Sequence, residues 1–375
     1  MRTFALVGAG GGLKRHVSAL EQLPGRIVAL VDPDPSVAEP CARQLACAFY
    51  QDCQTMLQEM QPEVVVILTP PFLHASLTIA CLQAGCHVLV EKPMALSVKE
   101  ADEMIATAQD QRRLLGVVFQ QRFRAEVLAT KRLLEEGCLG QLQHVEAMVS
   151  CPRPAAYYRE RDWRGTWAGE GGGVLMNQAP HALDLLCYLI GMPGRLVART
   201  QRQLHSIEAE DTVQAMLEWP DGAIGSLAAS TAWASGEVAE PASEQCVLHL
   251  IGTAGSLRLA NGHLSVTHLN KDMRAFASEA FQPFPTGSPC AVPFPFPQSE
   301  GTHLSVYRQF CAALDGQPSQ VITGTEARQS LELANGLLLA GQSGKPVAFP
   351  LDRQQYAFFL AEQQQRASRL PFLVS

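Results

Sequence analysis

From Thr3 to Val118 the chain alternates two patterns: short runs of β-branched and aliphatic residues, and stretches with apolar residues at helical spacing. The runs are Thr3–Val7, Arg26–Val31, Glu63–Leu68, His87–Val90 and Leu114–Val118. Between them, Phe72–Ala84 and Ser97–Gln109 read as helices, each following a Pro or Ser start signal and the first ending at Gly85. Strands that alternate with helices in this way form a parallel sheet, because a parallel pair needs a crossover rather than a tight turn. The first third is therefore read as an α/β domain.

The first run leads directly into Gly8-Ala9-Gly10-Gly11-Gly12-Leu13, and a helical pattern follows. Strand, glycine-rich turn and helix in that order form the context of a dinucleotide fingerprint. Gly8 permits the turn, Gly10 lets backbone approach a pyrophosphate, and Gly11 and Gly12 continue the loop. The third fingerprint glycine is replaced by Leu13, which predicts slightly wider helix-to-strand spacing and leaves the motif weak by itself. Its support is Asp32, 24 residues after Gly8 at the end of the next strand, where a carboxylate bonds the adenosine ribose. The same charge repels a 2′-phosphate, and Pro33-Asp34 follow instead of an arginine. NAD is thus favoured over NADP. The plainer reading is a glycine turn with an acidic helix cap.

Beyond residue 122 the pattern changes. A helix near Ala125–Glu136 precedes longer strands such as Gln141–Ser150, Thr212–Trp219, Ala223–Thr231 and Gln245–Leu250, separated by turn signals. This predicts an α+β domain over 123–375 with a large open, mainly antiparallel sheet. Pro220-Asp221-Gly222 reads as a tight turn between two of its strands. Residues 282–298 alternate Phe and Pro, which excludes a helix or a central strand and predicts an extended surface loop. Helices near His303–Leu314 and Glu326–Ala340 come last, and C-terminal helices are free to pack back on the first domain.

At 375 residues the chain exceeds what one core ordinarily holds. With 47% hydrophobic and 17% charged residues and mean hydropathy +0.03, it has the profile of a folded, soluble protein. A net charge of −7 with no basic cluster argues against nucleic acid and anionic membranes as partners. The 11 cysteines form no CxxC pair, and Cys41, Cys47 and Cys53 lack histidines at zinc-site spacing. No metal is expected, and reduced thiols fit a cytoplasmic protein. No apolar stretch approaches the roughly 20 residues that span a bilayer.

Glu91-Lys92-Pro93 ends a predicted strand downstream of Thr69-Pro70-Pro71-Phe72-Leu73-His74. Trp163-Arg164-Gly165-Thr166-Trp167, Gly171–Gln178, His181-Ala182-Leu183-Asp184 and Ile251–Gly255 follow. In this order the motifs resemble the glucose–fructose oxidoreductase/inositol dehydrogenase (Gfo/Idh/MocA) family across essentially the whole chain. The resemblance implies an N-terminal Rossmann domain, 1–122, and a second domain whose open sheet commonly mediates oligomerisation, here as a homodimer or homotetramer. It implies a sugar or cyclitol substrate held between the domains near the nicotinamide of NAD, with Lys92 and His181 at the catalytic positions. It places Thr69, Pro70, His74, Glu91 and Gln121 on the cofactor side, and Arg122, Tyr157, Trp163, Arg164 and Trp167 toward the substrate. Two further departures stand out. Position 71 is Pro where many members have Asn, and position 177 is Asn where inositol-dehydrogenase-like members have Asp.

Oxidising a secondary alcohol takes hydride from carbon and a proton from oxygen, so a base must touch the hydroxyl. Lysine and histidine both suit that role, and the residues alone leave open which carries the proton. An amide cannot, so Asn177 is read as orienting. Asn177, His181 and Asp184, spaced i, i+4 and i+7, share one face of a helix and could converge on one ligand. Pro180 breaks that helix or starts it, and an irregular start is expected. The glycines at 171–173 are read as letting backbone approach a ligand closely, or as a hinge. Trp163, Trp167 and Tyr157 are read equally as packing or as sugar-stacking surfaces. A redox-assisted glycoside hydrolase on the same fold would keep Lys92 and His181, and a non-catalytic sugar or nucleotide sensor is the third reading.

Overall fold

The computed structural model describes residues 1–234, 245–279, 283–290 and 301–369. In chain order the first elements are β1 (Arg2–Val7), α1 (Leu13–Leu20), β2 (Gly25–Val31), α2 (Pro35–Gln44), β3 (Ala48–Tyr50) and α3 (Cys53–Met60). Then come β4 (Val64–Ile67), α4 (His74–Gln83), β5 (His87–Val90), α5 (Val98–Asp110), β6 (Leu115–Val117) and α6 (Ala125–Glu135). β7 (Leu142–Ser150), α7 (Ala155–Arg159), α8 (Val174–Asn177), α9 (Pro180–Ile190), β8 (Arg195–Gln201), β9 (Thr212–Glu218) and β10 (Ile224–Ser230) continue the chain. The last are β11 (Gln245–Gly252), β12 (Gly255–Ala260), β13 (His263–Leu269), α10 (Met273–Ala277), β14 (Gly287–Cys290), α11 (His303–Leu314), α12 (Gly324–Ser343), β15 (Val347–Ala348) and α13 (Arg353–Arg369).

The chain forms two compact units. The first comprises Met1–Gln120, Ala168–Glu170 and Gly301–Leu331; the second comprises Gln121–Trp167, Gly171–Glu300 and Glu332–Ser375. The first unit holds a six-stranded sheet in the order β3-β2-β1-β4-β5-β6, with every pair parallel. Its central strands are buried on both faces, β4 along its whole length, which is why they read as unbroken apolar runs. Helices are set by local signals. Asp34 caps α2 with Pro35 at its first position, Asp52 caps α3, and Ser97 with Glu100 closes a capping box on α5. Within this unit α11 packs on α1. The strand order reverses between β1 and β4, the switch point at which α/β sheets of this kind bind ligands beyond their carboxyl ends.

The second unit holds a nine-stranded open sheet in the order β14-β13-β12-β11-β7-β10-β9-β8-β15. All neighbours are antiparallel except β7 and β10. Pro220-Asp221-Gly222 makes the expected turn between β9 and β10, closed by Trp219 N–H donating to the Ala223 carbonyl at 2.8 Å, with Gly222 at φ +93°. Along β9 the residues alternate, Val213, Ala215 and Leu217 inward and buried, Gln214, Met216 and Glu218 outward. The outward face keeps apolar side chains: Val197, Met216 and Ile224 are 37%, 62% and 53% exposed.

The Phe/Pro-rich stretch differs from expectation where it can be seen. Gln282 and 291–298 lie outside the described residues, but Gly287–Cys290 forms edge strand β14 on β13. Pro289 is tolerated there because an edge strand needs hydrogen bonds on one side only. All eleven cysteines are free, four of them buried. Among the described residues no helix is long and apolar enough to cross a membrane.

Candidate active site

In the first unit the glycine turn leaves β1 with Gly8 at φ +107° and its N–H donating to Val31 O at 2.7 Å. A Cβ on Gly8 would lie 2.9 Å from the Leu68 carbonyl carbon, so the glycine is obligatory on two counts. A Cβ on Gly10, Gly11 or Gly12 would instead meet no protein atom within 4 Å. Sterics of the protein alone do not require those three; a phosphate-bearing ligand lying against bare backbone would. α1 begins at Leu13, itself buried, with no side-chain cap and no acidic residue in its first turn. Its amide donors and positive dipole end thus suit an anion.

Asp32 ends β2. Its Oδ2 accepts from Ala9 N–H at 2.8 Å and its Oδ1 from Asp34 N–H at 3.0 Å, so the carboxylate is locked to the glycine turn. At the end of β4, among the described residues, the Thr69 hydroxyl is buried with no hydrogen-bond partner in the protein, and so is Gln120 Oε1. Gln120 was not anticipated; the sequence reading named its neighbour Gln121. Glycines with open space at their Cβ positions, a carboxylate bonded to the glycine turn and unpartnered buried polar atoms are compatible with a dinucleotide.

Pro70 precedes a 3-10 turn over Pro71–Leu73, and His74 follows, 1% exposed. Its Nε2 lies 2.8 Å from Thr69 O and its Nδ1 2.8 Å from Pro93 O. One ring therefore ties the loop after β4 to the loop after β5. Burial pulls the His74 imidazole toward its neutral form, against the two carbonyls and Glu91.

Glu91 supports Lys92 from below. Its Oε2 accepts from the Lys92 N–H at 3.0 Å, and its Oε1 lies 3.0 Å from His16 Nε2 and 3.5 Å from His303 Nε2. Burial opposes the charge, but the two histidines and Lys92 outweigh it and hold the Glu91 carboxyl well below the usual carboxylate range. An ionised carboxylate only accepts, so His16 donates from Nε2, and its Nδ1 lies 2.8 Å from the Tyr307 hydroxyl. Burial raises the Tyr307 phenol well above its usual range, which keeps its proton in place. His16, His303 and Tyr307 were missed by sequence reading; Tyr307 is 291 positions from His16. His16, Glu91 and His303 also present ligand atoms within 4.8 Å of one another, a set a divalent ion could use.

In the second unit α8 and α9 are separated by Gln178 and Ala179, and Pro180 sits at the first position of α9. The irregular start is thus a two-residue break, and Pro180 falls where its missing N–H costs nothing. His181 is 7% exposed. Asn177 donates from Nδ2 to the Tyr157 hydroxyl at 3.0 Å, joined by Gln178 Nε2 at 3.3 Å. Arg164 lies over the Tyr157 ring at 4.0 Å and over Trp163 at 5.6 Å. Asn177, Gln178, Tyr157, Arg164 and Trp163 thus form one cluster.

Three readings change. Asp184 does not simply share a ligand face with Asn177 and His181: both its oxygens accept from Arg122, at 2.8 Å from Nε and 2.6 Å from Nη2. Trp167 is 3% exposed, edge-on to Phe359 at 5.9 Å between centroids; it is a packing residue, not an open stacking face. Gly172 and Gly173 answer to protein packing, and Gly171 to a φ of +73°. A Cβ on Gly173 would lie 1.8 Å from Glu210 O, and one on Gly172 2.7 Å from Met176 Cγ and 3.1 Å from Leu338.

The profile of the oxidoreductase family with an NAD-binding Rossmann fold matches residues 2–119, and that of the GFO/IDH/MocA C-terminal domain matches 127–258. The scyllo-inositol 2-dehydrogenase (NADP(+)) IolW of Bacillus subtilis is 31% identical over 42% of this chain and 43% of its own. The D-glucoside 3-dehydrogenase of Escherichia coli is 30% identical over 45% of this chain and 47% of its own. Each alignment therefore spans less than half of the relative's length. The WlbA dehydrogenase of Bordetella pertussis, solved with NADH and UDP-GlcNAcA, superposes with a TM-score of 0.79 at 28% identity, covering 93% of this chain and 99% of that one. Levoglucosan dehydrogenase, solved with NADH, shares the fold at a TM-score of 0.77 and 21% identity, over 94% of this chain and 100% of that one. With both domain profiles matched in order, the chain belongs to the Gfo/Idh/MocA family of oxidoreductases.

Proposed function

We propose that the protein is an NAD-dependent dehydrogenase that oxidises a secondary alcohol of a sugar, sugar derivative or cyclitol, or reduces the corresponding ketone. The observation that carries the reading is the glycine turn clamped by Asp32, with the Lys92 amide held by Glu91 in the same unit. Bound nicotinamide supplies the hydride acceptor. Lys92 and His181 serve the reacting hydroxyl: one takes its proton, and the other stabilises the oxygen while charge develops. Asn177 and Tyr157 orient the substrate, and the Arg122–Asp184 pair positions the helix that carries His181.

Cofactor choice follows from charge. A carboxylate at position 32 would repel a 2′-phosphate, which supports NAD over NADP. The cytosol is the compartment in which free thiols such as these persist. Self-association through the outward face of the nine-stranded sheet covers Val197, Met216 and Ile224; light scattering should report a dimer or tetramer, and Met216→Asp should weaken it.

The test is to incubate the protein with NAD and a panel of glycosides, anhydrosugars, deoxy-sugars and inositols, following reduced nicotinamide and free sugar together. Reduced nicotinamide formed in step with a ketone supports the dehydrogenase. Free sugar released without net reduction selects the hydrolase, and binding without either change selects a sensor.

A further inference from the structure

Glu210 lies just before β9, is 1% exposed, and carries no catalytic role in the reading above. Its Oε1 and Oε2 accept from Gly173 N–H at 3.1 and 3.0 Å, and Oε1 also accepts from Leu175 N–H at 3.0 Å. Its backbone carbonyl accepts from Val174 N–H at 3.0 Å. Three consecutive amides at the start of α8 are thus held by one residue 35–37 positions away. Gly173 is fixed as glycine by the same approach. Four residues on from Gly173 is Asn177, and His181 follows at the second position of α9.

We propose that Glu210 is a positioning residue: ionised, it fixes the amides of Gly173 and Leu175 and with them the helical segment bearing Asn177 and His181; neutral, it lets that segment loosen. Charge-assisted bonds to backbone amides are shorter and stronger than neutral ones, and a protonated carboxyl turns one acceptor oxygen into a donor. Burial and, more weakly, neighbouring Asp211 push the Glu210 carboxyl up to about 7, against the amides that favour its charge. Asp211 itself faces the amides of Gln203, Leu204 and His205. On α9, packed against α8, the ionisable groups are His181, Asp184, Cys187 and Tyr188. β9 contributes Glu218 at its exposed end, β10 none, and on α12 Glu332 is paired with Arg353.

The proposal rests on His181 acting in catalysis, and Glu210→Gln tests it because that variant keeps size while removing ionisation. Turnover of a sugar from the panel is compared for the two proteins across pH. The wild-type to variant ratio of kcat should be near one at about pH 6, where both side chains are neutral, and rise to about tenfold at about pH 8, the scale of one charge-assisted hydrogen bond. NAD affinity should not change. A ratio flat with pH overturns the proposal, since a purely structural loss is the same at both pH values, and titration of His181, common to the two proteins, cancels in the ratio. A second arm needs no substrate: backbone hydrogen exchange over 173–178 should be faster in the variant at about pH 8 and equal at about pH 6, once intrinsic exchange is divided out. Equal protection throughout overturns the proposal even if turnover is never observed, whereas absent turnover with the predicted exchange difference counts against the dehydrogenase reading alone.

Discussion

Arg122 grips both oxygens of Asp184, with Nε at 2.8 Å and Nη2 at 2.6 Å, although the two are 62 positions apart. The pair has side chains only 7% and 2% exposed, and Arg122 lies over the Tyr188 ring at 4.7 Å. Removing one partner of a buried pair strands the other charge. Asp184→Ala should therefore cost about 3–5 kcal/mol of stability, and the doubly apolar Arg122→Met/Asp184→Leu much less. Urea unfolding of the three proteins checks the order.

Two glycine substitutions should behave oppositely. Gly173→Ala places a methyl 1.8 Å from Glu210 O, whereas Gly11→Ala meets nothing within 4 Å. Thermal unfolding should show Gly173→Ala destabilised by several degrees or failing to accumulate, with Gly11→Ala close to wild type. Gly11→Ala should instead weaken NAD binding in titration calorimetry, because the methyl occupies the phosphate approach.

Stability should fall at acid pH through Glu91. Its carboxyl is held well below the ordinary range by His16 and His303, so its ionised form is favoured by the fold. That contribution is complete above the unfolded value of about 4.3 and is lost as pH falls toward the folded one. Thermal midpoints between about pH 5 and 3 should drop more steeply for wild type than for Glu91→Gln.

Replacing Asp32 should shift cofactor choice. Asp32→Ser removes a carboxylate locked to Ala9 and Asp34, so NAD affinity should fall about tenfold and NADP affinity rise, the scale of one hydrogen bond to a charged group. An unchanged NAD-to-NADP ratio in fluorescence titration would place recognition elsewhere.

The parallel sheet was legible because strands buried on both faces are continuous apolar runs, as β4 shows in Val64–Ile67. The turn at Pro220–Gly222 was legible from local chemistry. The parallel pairing of β7 with β10 was not, since 73 residues of chain separate Ser150 from Ile224 and periodicity carries no pairing information. The glycine turn and Asp32 could be named from residue types, but the network behind Lys92 could not: Tyr307 reaches His16 from a helix whose apolar spacing shows only that it is buried. The same limit hid the Arg122–Asp184 pair and left packing and stacking equally open at Trp167. A charged or aromatic residue announces its type in sequence, not the partner that will satisfy it.

The central claim is that Lys92, together with His181, serves the reacting hydroxyl of the substrate while nicotinamide accepts hydride. Lys92→Met should be measured against wild type for reduced nicotinamide formed from NAD with the sugar and cyclitol panel. The account predicts at least one productive wild-type substrate, a kcat loss of about 10²-fold or more in the variant, and little change in NAD affinity. Turnover at the wild-type rate without the amine would contradict it.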